Sequence, residues 1–390
     1  MDSDPTNPRP TSMTVYRTAI PTRRFEHAAA SRNLAEAVVV RLTFADGEVG
    51  WGETLPRPYV TGETLETVIE DLTEVIWPAG LEGRVGEVAA TASQDGEARS
   101  RNAALCAFEL ARADHILRHV ERLPVERRQS LLGRAGPGRR IDARVSGVLG
   151  SSDPGKVSRQ LRLMRCYGLR DYKLKLGFGE REDGALVKAV SEKLGASLRG
   201  GRCTLRVDVN GGWTPQQTPE RTAELAALGV CVVEQPFCGP ARQVVDVARR
   251  CELPLMADES LIDESDADAL LAEPRRVWWN VRISKNGGLL RSMALARRAA
   301  EKGAPFVLGC MVGESSLLSA AQRRWLQWGP NPRFVEGNFG RFLLTDDLTT
   351  RSLRFGYGGR LRPLKGAGLG VTVDEAKLRR YARVVAERQA

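Results

Sequence analysis

The dominant pattern from Ala143 onward is a short apolar run followed by a turn and a stretch of helical periodicity, repeated along the chain. One strand plus one helix per repeat is typical of parallel sheets. Eight such units predict an α/β fold of the (β/α)₈ type, with its active site at the carboxyl ends of the strands. The predicted strands are Ala143–Val148, Asp171–Leu176, Thr204–Val209, Val230–Glu234, Leu255–Asp258, Val277–Ile283, Ala304–Leu308 and Phe334–Glu336.

The first third of the chain has a different pattern, rich in strands at its start. Ala37–Phe44 and Val49–Trp51 flank an Asp-Gly turn, which predicts a β-hairpin. Arg23–Arg32, upstream of it, is interpreted as a loop. Helical periodicity follows at Glu63–Ile76 and again at Ala103–His119. These elements predict a separate α+β domain before the barrel.

The domain limits follow from breaks in these patterns. Gly133–Arg140 is rich in glycine and arginine, which indicates a boundary, and Val373–Arg388 has the periodicity of a helix. The first residues are polar and proline-rich, without an apolar run, which predicts a disordered tail rather than a signal peptide. The predicted units are a tail at 1–12, an N-terminal α+β domain at 13–135, a barrel at 136–365 and a C-terminal segment at 366–390 that returns to the N-terminal domain.

The composition argues against several classes of function. The 390 residues carry a formal net charge of +10, mainly from arginines spread along the chain, which indicates solvated surface rather than a nucleic-acid stripe. The 7 cysteines show no metal-type C-x-x-C spacing and suit a reducing cytosol. No apolar segment approaches the length of a membrane span. We therefore expect a cytoplasmic protein that acts on small molecules, with neither a nucleic-acid nor a membrane partner. A homo-oligomer is the expected assembly, but no feature of the sequence specifies it.

Histidine is scarce, and its distribution constrains the chemistry. The 3 histidines, His27, His115 and His119, all precede the barrel pattern, so acid–base chemistry at the strand ends must use lysines or carboxylates. His115 and His119 lie four residues apart on a predicted helix, a spacing that can bind a metal ion. Because no third ligand lies nearby in the sequence, this pair is interpreted as a surface or packing pair.

Three acidic residues close successive predicted strands of the barrel. Asp208, Glu234 and Asp258 each end a short apolar run, so we expect their side chains to converge at one rim. Hard oxygen ligands of this kind select Mg²⁺ or a similar ion. Asn210, two residues after Asp208, and Glu259, which alternation points away from the ligand cluster, are predicted to support it.

Lysines flank these carboxylates in the sequence. Lys173 and Lys175 end the second strand, and period-two alternation places both amines on the face that points into the barrel. Two close cations lower each other's pKa, which predicts Lys175 as a base and Lys173 as its electrostatic partner and a ligand of a substrate oxygen. Lys285 ends the sixth strand, across the ring from Lys175. A barrel lysine is also a Schiff-base candidate, but the carboxylate triad argues against that chemistry.

These motifs, taken in order, resemble the enolase superfamily in its muconate-lactonizing-enzyme subgroup, whose relatives include mandelate racemase, dipeptide epimerases and o-succinylbenzoate synthase. The resemblance covers nearly the whole chain after the tail. Gly50–Pro56 and Tyr59–Thr64 look like the capping domain of that family, and Gly366–Gly370 also matches. The motifs that carry it are Lys173-x-Lys175, Asp208-x-Asn210, Glu234-Gln-Pro236, Ala257-Asp-Glu259 and Lys285-x-Gly-Gly288.

The resemblance implies a modified (β/α)₇β barrel beneath an α+β capping domain, and an enzyme that depends on Mg²⁺, with Mn²⁺ as a substitute. It also implies that the metal binds the carboxylate of a small-molecule substrate and that a lysine removes the α-proton, which leaves an enediolate. Cap loops near Arg24–Arg32 and Pro56–Glu63 would then choose the substrate. Arg24 and Tyr59 are the substrate-binding candidates in these loops.

The chain departs from the family pattern at three places. Members that epimerise dipeptides carry two aspartates one residue apart at the last strand, whereas this chain has Glu336-Gly-Asn338, and both residues are predicted substrate contacts. Glu314, after the seventh strand, has a spacing that leaves open an acid role or a supporting one. Arg282 stands where a lysine is common.

Several functions remain compatible with the sequence. Two lysines on opposite faces permit racemisation or epimerisation through two bases, and they also permit a cycloisomerisation through one base. An o-succinylbenzoate-synthase-like syn dehydration uses the same pair. A barrel that binds carboxylates without turnover is a different class, and the intact lysines and ligands argue against it.

Overall fold

The computed structural model describes residues 9–27, 30–91, 100–122 and 140–390. In this part of the chain, a four-stranded antiparallel sheet and an eight-stranded parallel sheet form separate layers. The parallel sheet belongs to the barrel, and the antiparallel sheet belongs to the cap. The predicted boundary segment, Gly133–Arg140, lies almost wholly outside the described residues, so the domain limits stay a prediction.

The barrel is built from eight parallel strands whose sheet order follows the chain. Its first and last strands meet through a parallel bridge between Val145 and Val335, and the Ser146 N–H donates to the Val335 carbonyl at 2.8 Å. The predicted barrel and all eight of its strands are therefore confirmed. The strands are β4 (Gly147–Leu149), β5 (Asp171–Lys175), β6 (Thr204–Asp208), β7 (Val233–Glu234), β8 (Leu255–Ala257), β9 (Val277–Val281), β10 (Phe306–Leu308) and β11 (Phe334–Val335).

A helix follows each barrel strand except the last, which gives the (β/α)₇β arrangement. β11 leads instead into irregular chain with single 3₁₀ turns at Gly340–Phe342 and Tyr357–Gly359. Among the described residues, no helix is both long and apolar enough to cross a membrane. The barrel helices are α6 (Pro154–Cys166), α7 (Glu180–Arg199), α8 (Thr218–Ala227), α9 (Ala241–Ala248), α10 (Glu264–Leu270), α11 (Leu289–Glu301) and α12 (Ser316–Trp328).

The cap sheet draws on both ends of the chain. Its order is β12-β1-β2-β3, and β12 pairs antiparallel with β1. Its strands are β1 (Pro10–His27), β2 (Ala30–Phe44), β3 (Val49–Thr54) and β12 (Ala382–Gln389). A short helix, α13 (Glu375–Tyr381), precedes β12. The predicted helix over Val373–Arg388 is therefore wrong in its second half, because the backbone there pairs with β1 and tertiary pairing overrides a weak local preference.

The predicted loop at Arg23–Arg32 is also wrong. β1 and β2 run to the end of a long hairpin, in which Phe25 pairs with Arg32 and His27 pairs with Ala30. The register shifts between Pro21 and Phe25, and such an irregularity bends a strand away from the plane of its sheet. β1 begins at Pro10, inside the predicted tail, and residues 1–8 lie outside the described part of the chain.

Helices cover one face of the cap sheet. A Cβ at Gly50 would lie 1.9 Å from the Ala111 carbonyl oxygen, and one at Gly52 would lie 1.9 Å from that of Ala107. Only glycine therefore permits the longest cap helix to rest directly on β3. The cap helices are α1 (Pro58–Thr61), α2 (Leu65–Asp71), α3 (Trp77–Glu82), α4 (Val85–Thr91) and α5 (Asn102–Arg122), with a π-helical turn at Leu72–Ile76.

Buried glutamates of the cap hold the barrel helices at the end where the barrel strands finish. Glu53, on β3, accepts hydrogen bonds from the Ser315 and Leu318 N–H groups at the start of α12, both at 3.0 Å. Glu109, on α5, accepts from Leu289 and Leu290 at the start of α11, both at 2.8 Å. Carboxylates satisfy the unpaired N–H groups that begin a helix. The cap is thus fixed over the rim of the barrel.

Candidate active site

Three buried carboxylates form a row along the rim of the barrel. Asp208 ends β6 and lies in register with Glu234, which ends β7, while Asp258 follows β8 directly. All three residues are fully buried. Because parallel strands bring their carboxyl ends to one edge, the three residues that the sequence predicts as metal ligands lie along the same rim of the barrel, and their role as ligands stays a prediction.

One end of this row is occupied by Lys175. β5 and β6 pair in register so that Lys175 lies beside Asp208. Its Nζ is 2.7 Å from Asp208 Oδ2 and 3.0 Å from Asn210 Oδ1. Asn210 adopts a positive φ of 50°, which turns the chain directly after the strand. The predicted supporting residue Asn210 therefore contacts the amine as well as lying near the carboxylate.

The opposite end of the row is occupied by Lys285, which is fully buried. Its Nζ donates to the Asp258 carbonyl at 2.6 Å, to Asp258 Oδ1 at 3.0 Å and to the Asn280 carbonyl at 2.8 Å. Burial, and then the nearby charge of Arg282, lower the pKa of Lys285 well below its ordinary value. Lys175 and Lys285 thus bracket the three carboxylates from the β5 and β9 sides.

Lys173 lies deeper in the barrel than Lys175, and its surroundings overturn one prediction. Its Nζ is 3.3 Å from Glu234 Oε1, 3.3 Å from Asp208 Oδ2 and 2.6 Å from Glu336 Oε2. Burial alone would lower the pKa of Lys173, but these three carboxylates outweigh burial and raise it. The expected lowering of its pKa by Lys175 is therefore wrong, since the sequence pattern did not show how many anions surround it.

Arg282 is a further cation of the site, and the orientation of its side chain could not be assigned from the sequence. Its guanidinium contacts Asp258 Oδ2 and lies 3.8 Å from Glu234 Oε1. The positive charge of Arg282 offsets part of the negative charge that these two carboxylates bring to the row. Arg282 therefore points into the row of carboxylates, between two of the predicted metal ligands.

The row has the donor set of a divalent-cation site. Burial, and then the neighbouring Asp208 carboxylate, raise the pKa of Glu234, which indicates crowding of negative charge. Asp258 Oδ2 is buried, and among the described residues its nearest cation is the Arg282 guanidinium, with which it forms an ion pair. Three carboxylates with all-oxygen donors match the preference of Mg²⁺, and a bound cation would relieve the crowding. The residues therefore fit the ion that the resemblance implies.

Glu259 and Glu314 both lie in low-dielectric surroundings. Burial, and then the charge of Asp208, raise the pKa of Glu259 to about 7. Burial raises the pKa of Glu314 to about 8, and its Oε1 accepts a hydrogen bond from the Met311 N–H at 2.6 Å. Glu259 is thus close enough to the metal-ligand candidates for their charges to influence it. Glu314 braces the turn that follows β10.

The two predicted substrate contacts after β11 have different surroundings. Glu336 faces the barrel interior between Lys173 and Arg206, and these cations lower its pKa to about 2 although burial opposes the shift. The Asn338 amide is held by α12, since Arg323 Nε donates to its Oδ1 at 2.6 Å and its Nδ2 donates to Gln322. The geometry therefore argues against a substrate contact by Asn338, while Glu336 contacts the row through Lys173.

The cap segments predicted to choose the substrate reach the rim of the barrel. The Arg23 N–H donates to the Leu343 carbonyl at 2.7 Å, which ties the part of the β1–β2 hairpin near its turn to the segment after β11. Tyr59 lies on α1 and is 45% exposed. The Arg24 side chain lies outside the described part of the structure, although its backbone belongs to β1. The segment Pro56–Glu63, interpreted as a loop, contains the short helix α1.

A direct contact joins the end of β3 to the approach to Lys285. The Leu55 N–H donates to Ser284 Oγ at 3.1 Å, and Thr54 Oγ1 lies 2.8 Å from the same hydroxyl. Ser284 immediately precedes Lys285, so the cap braces the backbone that carries this lysine. Hydrogen bonds of this kind restrict the orientations available to a catalytic side chain.

Two site residues were missed by sequence reasoning. Asn280 Nδ2 donates to Glu234 Oε1 at 2.8 Å from within β9. Gln235 Oε1 accepts from the Asp258 N–H at 3.0 Å, and this residue has a positive φ of 36°. Asn280 lies two residues before Arg282 in the same predicted strand, so alternation places both side chains on one face. This spacing could have indicated that Asn280 belongs to the site. Gln235 belongs to the motif Glu234-Gln-Pro236, but the motif does not reveal its contact with Asp258, which depends on how β7 and β8 are aligned.

Comparison with known proteins is consistent with this geometry. Residues 156–377 match the family model described as "Enolase C-terminal domain-like". The chain belongs to the enolase superfamily. It is 30% identical to muconate cycloisomerase 1-2 of Acinetobacter lwoffii over 374 residues, which cover 91% of this chain and 90% of the relative.

Other members of the enolase superfamily resemble the chain over most of its length. It is 26% identical to L-Ala-D/L-Glu epimerase of Bacillus subtilis over 314 residues, which cover 78% of this chain and 81% of the relative. The solved structure of a muconate lactonizing enzyme from Pseudomonas fluorescens in complex with muconolactone superposes with a TM-score of 0.79 at 25% identity. That match covers 97% of this chain and 100% of the other. The predicted family is thus confirmed.

Proposed function

We propose that this protein is an isomerase that removes the α-proton of a small carboxylate substrate and returns a proton to the resulting enediolate. The observation that carries the proposal is the placement of Lys175 and Lys285 at opposite ends of one row of carboxylates. Lys175 contacts Asp208 at 2.7 Å, and Lys285 contacts Asp258 at 3.0 Å. A carbon acid held above the middle of the row would have an amine on each side.

In this proposal, Asp208, Glu234 and Asp258 hold a Mg²⁺ ion, for which Mn²⁺ can substitute. When bound, such an ion stabilises the negative charge that develops on the substrate carboxylate. Asn280 and Gln235 orient the ligands, since one donates to Glu234 and the other accepts from the Asp258 N–H. Loss of a residue that holds a metal ligand in place in this way typically weakens metal binding about 10–100-fold.

The lysines carry the proton transfers. For racemisation or epimerisation, one lysine removes the α-proton from one face of the carbon and the other returns a proton to the opposite face. For cycloisomerisation, one lysine exchanges the proton and the other stabilises charge. Lys173 is positioned as a fixed cation, because three carboxylates keep it protonated.

Relatives of both reaction types support the isomerase class. Curated proteins that cover most of this chain include an epimerase and a muconate cycloisomerase. Syn dehydration remains the alternative in the lyase class, as the same two lysines can serve it. The cap hairpin between β1 and β2 and the α1 segment are proposed to choose among substrates, because both segments reach the barrel rim.

The test is hydrogen exchange in D₂O with Mg²⁺ present. The protein is incubated with a library of carboxylates, N-acyl amino acids and dipeptides, and each compound is read by mass. A gain of one mass unit in a recovered compound identifies proton abstraction, and chiral chromatography then separates racemisation or epimerisation from a change of constitution. Absence of exchange across the library, in protein that binds Mg²⁺, would contradict the proposal for these substrate classes.

A further inference from the structure

The turn between β2 and β3 brings four metal-binding side chains together in the cap. One ligand atom from each of Asp46, Glu48, His115 and His119 lies within 4.8 Å of the others. The sequence interpretation assigned the two histidines to packing because it found no third ligand. That premise is wrong, since the hairpin places two carboxylates beside them.

The distances in this cluster suit one four-coordinate ion. The Nε2 atoms of His115 and His119 are 3.0 Å apart, and each lies 2.9 Å from Asp46 Oδ2. Glu48 Oε2 is 3.8 Å from His119 Nε2. Tetrahedral zinc with bonds of about 2.0–2.2 Å separates its ligand atoms by roughly 3.3 Å. The four measured distances differ from that value by about 0.5 Å at most.

Hydrogen bonding alone satisfies this cluster poorly. Both histidine Nε2 atoms converge on Asp46 Oδ2, and they also face each other at 3.0 Å. If both Nε2 atoms carry hydrogens, two hydrogen-bond donors face each other at this distance. If only one carries a hydrogen, the other Nε2 cannot donate to the Asp46 carboxylate. Among the described residues, Glu48 Oε2 is buried and has no hydrogen-bond partner. A cation would use all of these lone pairs at once.

The ligand side chains are already oriented by other contacts. Asp46 Oδ1 accepts from the Glu48 N–H at 2.9 Å, which turns Oδ2 toward the histidines. Arg122 Nη2 donates to Glu48 Oε1 at 2.5 Å, which leaves Oε2 facing the cluster. The Phe44 ring stacks on His115 with centroids 3.8 Å apart. Because α5 rests directly on β3 at two glycines, the helix and the hairpin turn cannot easily separate.

We propose that the cap binds one transition-metal ion of the zinc type through Asp46, Glu48, His115 and His119. Two imidazoles favour Zn²⁺, Co²⁺ or Ni²⁺ over Mg²⁺, whereas the all-oxygen set in the barrel favours Mg²⁺. Since the protein supplies four ligands, the site is structural and ties the hairpin turn to α5. It is distinct from the row of carboxylates in the barrel.

The experiment titrates Zn²⁺ into the full-length protein by calorimetry. Excess Mg²⁺ occupies the barrel carboxylates, and the exposed thiols Cys166 and Cys238 are alkylated beforehand, since thiolates also bind zinc. The wild-type protein is expected to bind one equivalent. His119→Ala should weaken this binding by more than about 100-fold, and Glu48→Gln should weaken it by about 10-fold, as one of four ligands is lost or altered.

A spectrum and a matched variant complete the test. Co²⁺ should give visible absorption bands of a four-coordinate site in the wild type and not in His119→Ala. His27→Ala, which removes the remaining histidine of the chain, should bind Zn²⁺ as the wild type does. Zn²⁺ should raise the Tm of the wild type and of His27→Ala but not that of His119→Ala. Equal Zn²⁺ uptake by the wild type and His119→Ala, or no uptake by the wild type, would overturn the proposal.

Discussion

Lys175 Nζ and Asp208 Oδ2 lie 2.7 Å apart, joined across a register pair of β5 and β6. The amine proposed as a base is therefore tethered to a carboxylate proposed as a metal ligand. Asn210 Oδ1 holds the same amine from the other side at 3.0 Å. This arrangement fixes the amine at the edge of the row, where a substrate carbon bound above the carboxylates would lie within its reach.

The two flanking lysines should have separable roles in exchange. For a racemase or epimerase, Lys175→Ala should abolish α-proton exchange from one stereoisomer and Lys285→Ala from the other, and either should stop interconversion. Loss of a general base costs about 10²–10⁴-fold in rate. For a cycloisomerase, one variant should lose exchange and the other should lose turnover while keeping some exchange. Mass spectrometry in D₂O with each stereoisomer measures these rates.

Lys188→Ala, on the exposed side of α7, is the matched control for removal of a lysine. It should exchange at the wild-type rate. If Lys175→Ala and Lys285→Ala both kept wild-type exchange and turnover with the true substrate, the lysine mechanism would be wrong in either form. Circular dichroism of each variant checks that the barrel is intact.

The row of carboxylates should bind Mg²⁺ with oxygen ligands alone. In a crystal structure with the ion, oxygens of Asp208, Glu234 and Asp258 should lie about 2.0–2.2 Å from it. Asn280→Ala should weaken Mg²⁺ binding about 10–100-fold, because Glu234 would lose the donor that orients it. Isothermal titration measures the affinity. Side chains of the three acids that remain apart from a bound ion would count against the assignment.

The core of this site could be predicted from sequence for a simple geometric reason. Parallel strands finish at one rim, so Asp208, Glu234 and Asp258 had to meet there, and period-two alternation turned Lys173 and Lys175 inward. The direction of Arg282 and the donor role of Asn280 could not be predicted in this way. Both depend on contacts between different strands of the barrel. The pattern within one strand does not show which side chains of another strand lie opposite it.

Other errors arose where distant segments pair. β12 looked helical because its partner, β1, lies at the opposite end of the chain. The two cap histidines looked unpartnered because Asp46 and Glu48 come from a hairpin far away in the sequence. The rise in the pKa of Lys173 was missed for the same reason, since Glu336 reaches it from the last strand. Local patterns do not record such long-range neighbours.

The cap hairpin and the α1 segment should govern the choice of substrate without affecting metal binding. Replacing Arg23–Arg32 and Pro56–Glu63 with the corresponding segments of a relative should change which library compounds exchange. Mg²⁺ affinity should stay within about twofold, because the metal-ligand candidates all belong to the barrel. Arg24→Ala and Tyr59→Phe test the individual side chains through KM. Loss of Mg²⁺ binding after the swap would contradict this division of labour.

The buried glutamate that joins the cap to α12 should make stability depend on pH. Burial raises the pKa of Glu53 from 4.5 to about 7, although Ser315 and Leu318 donate hydrogen bonds to it. Because the folded pKa exceeds the unfolded one, the native state binds more protons between these values. The contribution of Glu53 to stability is therefore complete below about pH 4.5 and is lost as the pH rises through about 7.

Glu53→Gln should flatten this dependence, since the amide does not titrate. Urea unfolding from pH 5 to 8 should show a smaller loss of unfolding free energy for Glu53→Gln than for the wild type, with a difference on the order of 3 kcal/mol at most. The variant should also be less stable at pH 5, because an amide NH₂ cannot accept the hydrogen bonds that the second oxygen of the protonated carboxyl group can accept. Glu70→Gln, exposed on α2, is the matched control and should keep the wild-type slope. An unchanged slope in Glu53→Gln would show that the titration lies elsewhere.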